Sequence, residues 1–187
     1  MAQRQPIITF VGHIDHGKTS LQDYIRQSAV VMGEAGRITQ HIGSSIVPLD
    51  IIQKICGPLL DALKLDVTIP GLLFIDTPGH ACFTNLRKRG GNLADIAILV
   101  IDVNEGVMAQ SLECIEILKQ YKTPFIIALN KIDTLRGWKK QSDTLLQNIS
   151  MQTPQVQGLF EEKLYTVVGK LSELGFESER FDRISDY

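Results

Sequence analysis

The sequence predicts an α/β fold in which helices cover both faces of a mostly parallel sheet. Four short apolar runs have the length of strands: 6–11, 71–76, 95–102 and 123–130. Three of them are nearly continuous in large apolar residues, which is typical of strands that are covered on both faces. Longer stretches separate the runs, as crossover helices require. Together these observations predict a three-layer α/β sandwich, whose ligands bind at the carboxyl ends of the strands.

The first half of the chain begins with strand 6–11 and continues into a helix over 18–31. Residues 32–47 are rich in Gly and small polar residues and have no clear period, so we expect a long mobile loop. The segment 64–69 alternates between apolar and polar residues, which is typical of a strand with one covered face. We therefore predict one antiparallel edge strand there, paired with 71–76 across Pro70–Gly71.

The second half of the chain continues the alternation of strands and helices. Helices are predicted over 80–91 and 108–121, the latter with apolar residues at helical spacing. The tail from 155 also has apolar residues at helical spacing and predicts an extra C-terminal helical segment over 155–180. Its apolar residues are Phe160, Leu164, Val167, Leu171 and Leu174.

Composition indicates one globular domain, 1–187, in a soluble cytoplasmic protein. The chain is 44% hydrophobic and its net charge is −2, so no bulk electrostatic attraction favours nucleic acid. Three cysteines without metal-ligand spacing fit reduced thiols. No apolar run approaches the roughly 18 residues that span a bilayer, and the start MAQRQPIITF has no signal-peptide region. We expect no membrane association.

A glycine-rich segment, GHIDHGKT (12–19), follows the first strand and opens the first helix. This is the context in which G-x-x-x-x-G-K-[ST] forms a phosphate-binding loop. The glycines let the backbone curl so that N–H groups meet phosphate oxygens, and the helix N-terminus adds partial positive charge. Lys18 supplies a positive charge to the β and γ phosphates, and Thr19 offers a hydroxyl to Mg²⁺. The alternative is an ordinary glycine-rich turn.

Two further motifs follow other strands in the expected order. Asp76, in D-x-x-G, can hold the Mg²⁺ shell, and Gly79 can donate its backbone N–H to the γ-phosphate. In NKID (130–133), Asn130 and Lys131 can brace the phosphate loop and cover the base. Asp133 can accept two hydrogen bonds from the guanine edge, which adenine lacks, so the motif favours guanine strongly. The three motifs together predict GTP and GDP binding.

The residues in these motifs resemble those of a known family. GHIDHGKT and DTPGH resemble the translational GTPases. EAGRITQHIG, IPGLLFIDTPGHACFTNLRKRGG and LADIAILVIDVNEG resemble the GTP-binding (G) domain of translation initiation factor 5B of archaea and eukaryotes, a relative of bacterial initiation factor 2. The likeness covers most of 6–138, and 155–180 looks like an insertion of the archaeal and eukaryotic branch.

This resemblance implies a P-loop GTPase fold with two loops that are ordered by GTP. It places the first switch at 33–47 and the second at 76–91, with Thr39 as an Mg²⁺ ligand. Asp15 resembles a phosphate-loop residue that helps to place a monovalent cation, K⁺ or Na⁺. The predicted metal ligands are Thr19, Thr39 and Asp76 for Mg²⁺. The predicted nucleotide-binding residues are Gly12, Asp15, His16, Gly17, Lys18, Thr19, Ser20, Asp76, Gly79, Asn130, Lys131 and Asp133.

The resemblance also assigns the catalytic residues, which are His80, Lys18 and Thr39. His80 stands where related GTPases orient the attacking water, and positioning is most of what phosphoryl transfer requires. Ile14 and Ile38 match an apolar pair that keeps this histidine out of place until the ribosome engages. Hydrolysis is therefore expected to be slow without the ribosome. The alternative is a structural histidine that caps a helix.

The implied partners are the ribosome, meaning its subunits and ribosomal RNA, and initiator tRNA through domains that are not in this chain. The chain itself is expected to be a monomer. The cluster Arg87, Lys88 and Arg89 either faces ribosomal RNA or caps a helix C-terminus. Arg37 is either an internal arginine finger or a solvated loop charge. His13, His16 and His41 receive no chemical role, and Trp138 is expected to be a packing residue.

Members of this class have a fifth guanine-contacting element, Ser-Ala-Lys or Ser-Ala-Leu, and neither tripeptide occurs in the 187 residues. We expect the chain to be the truncated N-terminal piece of a longer protein, ending before the final strand. Three other functions are open to such a chain: an ATP-using phosphotransferase, a non-hydrolysing guanine-nucleotide-binding interaction module and another translational GTPase. Asp133 argues against the first of these.

Overall fold

The computed structural model describes residues 4–32, 40–41, 44–62, 64, 67–75 and 94–184. Within them the strands are β1 Ile7–Val11, β2 Gln40–His41, β3 Ser44–Pro48, β4 Gly71–Ile75, β5 Ile96–Asp102 and β6 Phe125–Asn130. The helices are α1 Lys18–Met32, α2 Leu49–Ala62, α3 Ala109–Gln120, α4 Leu145–Ser150 and α5 Pro154–Glu173, with a 3₁₀ turn at Ile132–Thr134.

The strands form one sheet in the order β2-β3-β4-β1-β5-β6. The central strand β1 is parallel to both of its neighbours, pairing Ile8 with Phe74 of β4 and with Ile96 of β5. Strand β3 runs antiparallel to β4, and the two-residue β2 runs antiparallel to β3. This arrangement confirms the predicted α/β class, a mostly parallel sheet with antiparallel pairing at one edge.

The antiparallel strand lies at Ser44–Pro48, so its predicted position at 64–69 was wrong. Residues 67–70 are outside any strand, and the end of the predicted loop 32–47 is part of β3. The reason is a buried polar residue. Ser45 is almost fully buried and its hydroxyl accepts a hydrogen bond from Arg26 Nε at 2.6 Å. A buried serine hides the strand alternation that an apolar residue would have revealed.

Helix α2 was missed by the sequence analysis. It places Ile51 fully inside the core, with Ile52 partly buried beside it. Gly57 and Pro58 stand in the second half of this helix, and both residue types disfavour helix interiors. Packing of the apolar face outweighs that local preference, which sequence reading alone does not reveal.

The chain divides into two compact units. The first comprises the residues up to Val100 together with Gln110–Ala128. Its core is a cluster in which the rings of Phe10 and Phe74 stack with centroids 5.7 Å apart. The buried members of that cluster are Ile8, Phe10, Val47, Ile51, Phe74 and Val100.

The second unit comprises Ile101–Ala109 and Leu129–Tyr187. Its buried cluster contains Val103, Leu135, Ile149 and Phe160. The ring of Trp138 packs against Phe160 with centroids 6.4 Å apart, so Trp138 is the packing residue that the sequence suggested.

The C-terminal helix α5 begins after the N-cap residue Thr153 and ends at Glu173. Gly175, at φ 84°, then turns the chain, and its N–H donates to the Ser172 carbonyl at 3.0 Å. The helix predicted for 155–180 is therefore confirmed as far as Glu173, and residues 174–180 lie outside it. Arg183 returns to the helix surface and forms an ion pair with Glu161 at 2.7 Å.

Among the described residues, no helix combines the length and the apolar character that crossing a membrane requires.

Candidate functional site

The phosphate loop connects β1 to α1 and depends on unusual backbone angles. Gly12 has φ +135°, and a Cβ at this position would lie 2.4 Å from the carbonyl oxygen of Val100. Gly17 has φ 90°, and Asp15 adopts the left-handed conformation with φ 64°. Only glycine fits the first position, because both the backbone angle and the neighbouring strand exclude a side chain. The loop therefore curls as the sequence predicted.

Lys18 closes this loop on itself. Its ammonium donates to the carbonyl oxygens of Gly12 at 3.0 Å and His13 at 2.5 Å. Burial lowers the pKa of Lys18, whereas Cys114 and Asp15 act in the opposite direction. The loop thus holds a half-buried cation at the N-terminus of α1, which is where an anionic ligand gains most from it.

Two histidines stand beneath the loop. His16 is fully buried, and its Nδ1 lies 3.3 Å from the carbonyl oxygen of Val100 on β5. The ring of His13 meets the ring of His16 edge to face, with centroids 5.0 Å apart. These contacts give His16 a structural role, since its ring anchors the loop to the neighbouring strand.

The outer surface of the loop is held by a residue that the sequence did not single out. The backbone N–H of Ile14 donates to Gln110 Oε1 at 3.0 Å, at the start of α3. The side chain of Ile14 is 59% exposed, so the residue proposed as half of an apolar gate projects into solvent. Gln110 lies outside the recognised motifs, and nothing in its local sequence indicated this contact.

The first turn of α1 presents two hydroxyl groups to solvent. Thr19 and Ser20 are both exposed, and the backbone of Leu21 bonds back to the Gly17 carbonyl at 2.9 Å. The structure therefore brings together Gly12, Asp15, Gly17, Lys18, Thr19 and Ser20 in one loop and helix start.

The N-K-I-D segment lies in the second unit, at the carboxyl end of β6. Lys131 adopts the left-handed conformation, with φ 60° and ψ 32°, and leads into the 3₁₀ turn that contains Asp133. The side chain of Asp133 is exposed. Thr134 closes the turn, because its hydroxyl donates to the Lys131 carbonyl at 2.6 Å.

Asp102, at the end of β5, joins this segment and was not predicted. Its Oδ2 lies 2.8 Å from the Lys131 ammonium, and its Oδ1 accepts the Asn104 N–H at 2.8 Å. Burial works to raise the pKa of Asp102, but the bonds from Lys131 and the Asn104 N–H outweigh it and leave the pKa below its usual value. Its position at a strand end, in DVNEG, was the available signal.

Several predicted residues lie outside the described part of the chain. They include the candidate Mg²⁺ ligands Thr39 and Asp76, Gly79 and His80, and also Arg37, Ile38 and the 87–89 cluster. The helix predicted at 80–91, the whole second switch and residues 33–39 and 42–43 of the first switch lie there too. Within the ranges that are described, no group of three or more His, Cys, Asp or Glu residues is arranged to hold a metal ion.

A phosphate loop between β1 and α1, and an N-K-x-D turn after β6, on a mostly parallel sheet define a GTP-binding domain of the P-loop class. The chain belongs to the family described as the elongation factor Tu GTP binding domain, which matches residues 3–181.

Its relatives include archaeal proteins named probable translation initiation factor IF-2. The chain is 58% identical to the protein of Methanopyrus kandleri, over 100% of this chain and 31% of that protein. It is 56% identical to the protein of Thermococcus sibiricus, over 98% of this chain and 31% of that one. The chain thus spans about a third of the length of these relatives.

A solved structure is also similar to the chain. The chain is similar to GDP-bound aIF5B from Aeropyrum pernix, with a TM-score of 0.90 and 53% identity. The likeness covers 98% of this chain and 31% of that one.

Proposed function

We propose that this chain is the GTP-binding and GTP-hydrolysing domain of a translation initiation factor that promotes joining of the ribosomal subunits. The observation that carries nucleotide binding is the phosphate loop, with Gly12 forced against Val100 and Lys18 held at the loop centre. The initiation-factor part is supported by identity to the archaeal IF-2 proteins along the whole chain. The chain spans 31% of the length of those proteins, so the activity of a complete factor is also proposed here.

The phosphate loop is proposed to bind the β and γ phosphates of GTP. Lys18 provides the positive charge, and the N-terminus of α1 provides unpaired N–H groups. The exposed hydroxyl of Thr19 suits an Mg²⁺ ligand, with Thr39 and Asp76 as its proposed companions. Mg²⁺, when bound, neutralises negative charge on the phosphates. Asp15 is proposed to hold K⁺ or Na⁺ beside them.

The N-K-I-D segment is proposed to select guanine. The exposed carboxylate of Asp133 is free to accept the two adjacent N–H groups of the guanine edge. A site built to receive a hydrogen bond rejects a ligand that lacks the donor, because its polar group then loses water without compensation. GTP and GDP are therefore preferred over ATP.

Hydrolysis is proposed to depend on His80, which aligns the attacking water once the ribosome has engaged. Lys18 and Thr39 stabilise the charge of the transferring phosphoryl group. Ile14 and Ile38 are proposed to keep His80 away until then, and the exposure of Ile14 is compatible with movement of its side chain.

The first experiment is equilibrium binding of fluorescent GDP to the 187-residue chain with Mg²⁺, competed separately by GTP and by ATP. We expect displacement by GTP and none by ATP at the same concentration. Comparable displacement by ATP would contradict the proposed role of Asp133 and favour a phosphotransferase. Asp133→Asn should weaken GDP binding while leaving the affinity for inorganic triphosphate unchanged.

The catalytic proposal is tested by His80→Ala in a complete factor that carries this domain. We expect nucleotide affinity to persist and ribosome-stimulated turnover to fall by about 10²–10⁴-fold, the usual contribution of a positioned catalytic group. Unchanged turnover would remove His80 from the mechanism. No stimulation of the wild-type factor by ribosomes would instead favour a non-hydrolysing interaction module.

The switch proposal concerns residues 33–47 and 76–91. Hydrogen exchange of the 33–47 peptide should slow with a non-hydrolysable GTP analogue compared with GDP, because the γ-phosphate orders such loops. Equal exchange in both states would count against this assignment.

The proposed partners are the ribosomal subunits and ribosomal RNA, with initiator tRNA bound by other parts of a complete factor. The cations Arg87, Lys88 and Arg89 are candidates for contact with RNA phosphates. The chain alone is proposed to be a monomer. Sedimentation of the complete factor with ribosomal subunits, in the presence of each nucleotide, tests the proposed binding to the ribosome.

A further inference from the structure

We propose that Asp102 is a positioning residue for guanine recognition, acting through Lys131. Its carboxylate holds the Lys131 ammonium and so keeps the N-K-I-D turn in the shape that presents Asp133. This inference rests on the proposed function, because it concerns the same guanine-binding segment.

The contact itself is a charge-assisted hydrogen bond. Lys131 Nζ lies 2.8 Å from Asp102 Oδ2, and the Asp102 side chain is only 7% exposed. Bonds between charged partners are stronger than neutral ones, and burial reduces screening by water and salt. Lys131 is thus the cation that the buried Asp102 carboxylate holds through its Oδ2 atom.

The turn needs such support because Lys131 is in the left-handed region, at φ 60°. Residues other than glycine adopt this conformation at a cost in energy, so contacts elsewhere have to maintain it. Nothing in the local sequence supplies a glycine between Asn130 and Asp133. The energy that holds the turn therefore comes from hydrogen bonds, some within the turn and some to residues elsewhere in the chain.

Four residues supply those contacts as a closed ring of hydrogen bonds. Asp102 Oδ1 accepts the Asn104 N–H at 2.8 Å, and Asn104 Nδ2 donates to Thr134 Oγ1 at 2.7 Å. Thr134 Oγ1 donates to the Lys131 carbonyl at 2.6 Å, and the Lys131 ammonium returns to Asp102. The ring fixes both ends of the Lys131 residue, its carbonyl and its ammonium.

The consequence for binding is preorganisation. Asp133 lies within the turn that this ring encloses, and its carboxylate has to be aimed before two hydrogen bonds to guanine can form together. A binding group that is already in place loses less conformational freedom when the ligand arrives. Loosening the ring should thus lower guanine-nucleotide affinity without removing any contact to the nucleotide.

The test is Asp102→Asn in the 187-residue chain, with fluorescent GDP and Mg²⁺. Asparagine keeps an oxygen for the Asn104 N–H but loses the charge that holds Lys131. We expect the dissociation constant for GDP to rise about tenfold, which corresponds to about 1.4 kcal/mol. The same substitution in a Lys131→Gln background should have almost no effect, because its target is already gone.

The matched control is Asp95→Asn, at the residue that precedes β5. Asp95 also pairs with a cation, Arg4 at 2.6 Å, and also accepts a backbone N–H, that of Ile7 at 2.7 Å. Its hydrogen bonds go to Arg4 and Ile7 and not to the N-K-I-D segment, so GDP affinity should remain within about twofold of wild type.

Two results would overturn the inference. One is unchanged GDP affinity in Asp102→Asn, and the other is an equal loss in the wild-type and Lys131→Gln backgrounds. Thr134→Val, which cuts the opposite side of the ring, provides a second variant should Asp102→Asn fold poorly. It should also weaken GDP binding, and an unchanged affinity in that variant would count against the ring.

A readout that needs no nucleotide separates this inference from the proposed function. The Thr134 N–H donates to the Lys131 carbonyl at 3.0 Å, so its hydrogen exchange reports the closed turn. We expect Asp102→Asn to accelerate that exchange, and unchanged exchange would contradict the positioning role. A wild-type chain that binds no GDP would contradict nucleotide binding by this chain alone, and this measurement would still decide the role of Asp102.

Discussion

At the phosphate loop, a single carbonyl oxygen constrains two residues. The Val100 carbonyl leaves no room for a Cβ on Gly12, and it lies 3.3 Å from the Nδ1 atom of the buried His16. The loop is thus fitted to β5 from one side and closed by Lys18 from within. This crowding explains why the pattern begins with glycine in physical terms, independently of any relative.

Gly12→Ala should destabilise the chain and abolish tight nucleotide binding. The new methyl group would meet the Val100 carbonyl oxygen at 2.4 Å, at a backbone angle that L-residues rarely adopt. We expect a loss of about 2–3 kcal/mol in the free energy of unfolding, measured with urea. Gly57→Ala is the control, because a Cβ there meets nothing within 4 Å. Equal stabilities of the two variants would contradict the fit described for Gly12.

The Arg4–Asp95 pair predicts a pH dependence. Two bonds from Arg4 and the Ile7 N–H lower the pKa of Asp95 from 3.8 to about 2. Because the pKa in the folded state is the lower one, the pair stabilises the fold fully above the unfolded value and loses this contribution as pH falls through about 2. The difference in urea midpoint between wild type and Asp95→Asn should therefore shrink from about pH 5 downward. A pH-independent difference would contradict it.

At the scale of secondary-structure elements, the sequence predicted those strands and helices whose apolar residues form a continuous run or a regular spacing. The strands at 7–11, 71–75, 96–102 and 125–130 were apolar enough to recognise, and the class of fold followed from them. Strand β3 was missed because Ser45 is buried with Arg26 as its partner, a contact that depends on α1. Helix α2 was missed because its glycine and proline are tolerated only through packing.

The site was predictable where a motif dictates local geometry and less so where contacts come from elsewhere. Gly12, Lys18 and Thr19 lie where the loop pattern placed them. Gln110 bonds to Ile14, which is 96 residues away in the sequence, and Asp102 bonds to Lys131, which is 29 residues away. No short sequence pattern encodes contacts over such separations. His80 and Thr39 stay predictions.

Two glycines inside helix α5 are positions where substitution should increase stability. Gly158 and Gly169 are exposed inside it, and a Cβ at either position would meet no atom within 4 Å. Replacing each with alanine should raise the free energy of unfolding by about 0.5–1 kcal/mol, because glycine loses more chain entropy in a helix. Gly175→Ala, at φ 84° after the helix, should instead destabilise. Thermal melts of the three variants show whether each substitution raises or lowers stability. Stabilisation by all three would contradict the expected effect of Gly175→Ala.

At the scale of the molecule, the second compact unit contains a natural fluorescent probe. The single tryptophan, Trp138, is partly buried and packs against the buried cluster of that unit, so its fluorescence reports unfolding there. The N-K-I-D segment belongs to the same unit. Trp138 fluorescence is therefore recorded within the unit that carries the proposed guanine contacts.

GDP with Mg²⁺ should raise the midpoint of the Trp138 unfolding transition. A ligand that binds only the folded state stabilises it by about 2.7 kcal/mol at a hundredfold excess over its dissociation constant. ATP at the same concentration should give no shift. An equal shift with both nucleotides would argue against selection of guanine by Asp133.

The outer position of β6 has a consequence for handling concentrated samples. In the described part of the sheet, β6 has only β5 beside it, and Ile126 is 60% exposed. Such an edge offers main-chain groups and an apolar side chain to a second copy, so turbidity should increase with protein concentration. A lysine in place of Ile126 would repel that copy, and it should keep solutions clear during crystallisation or spectroscopy.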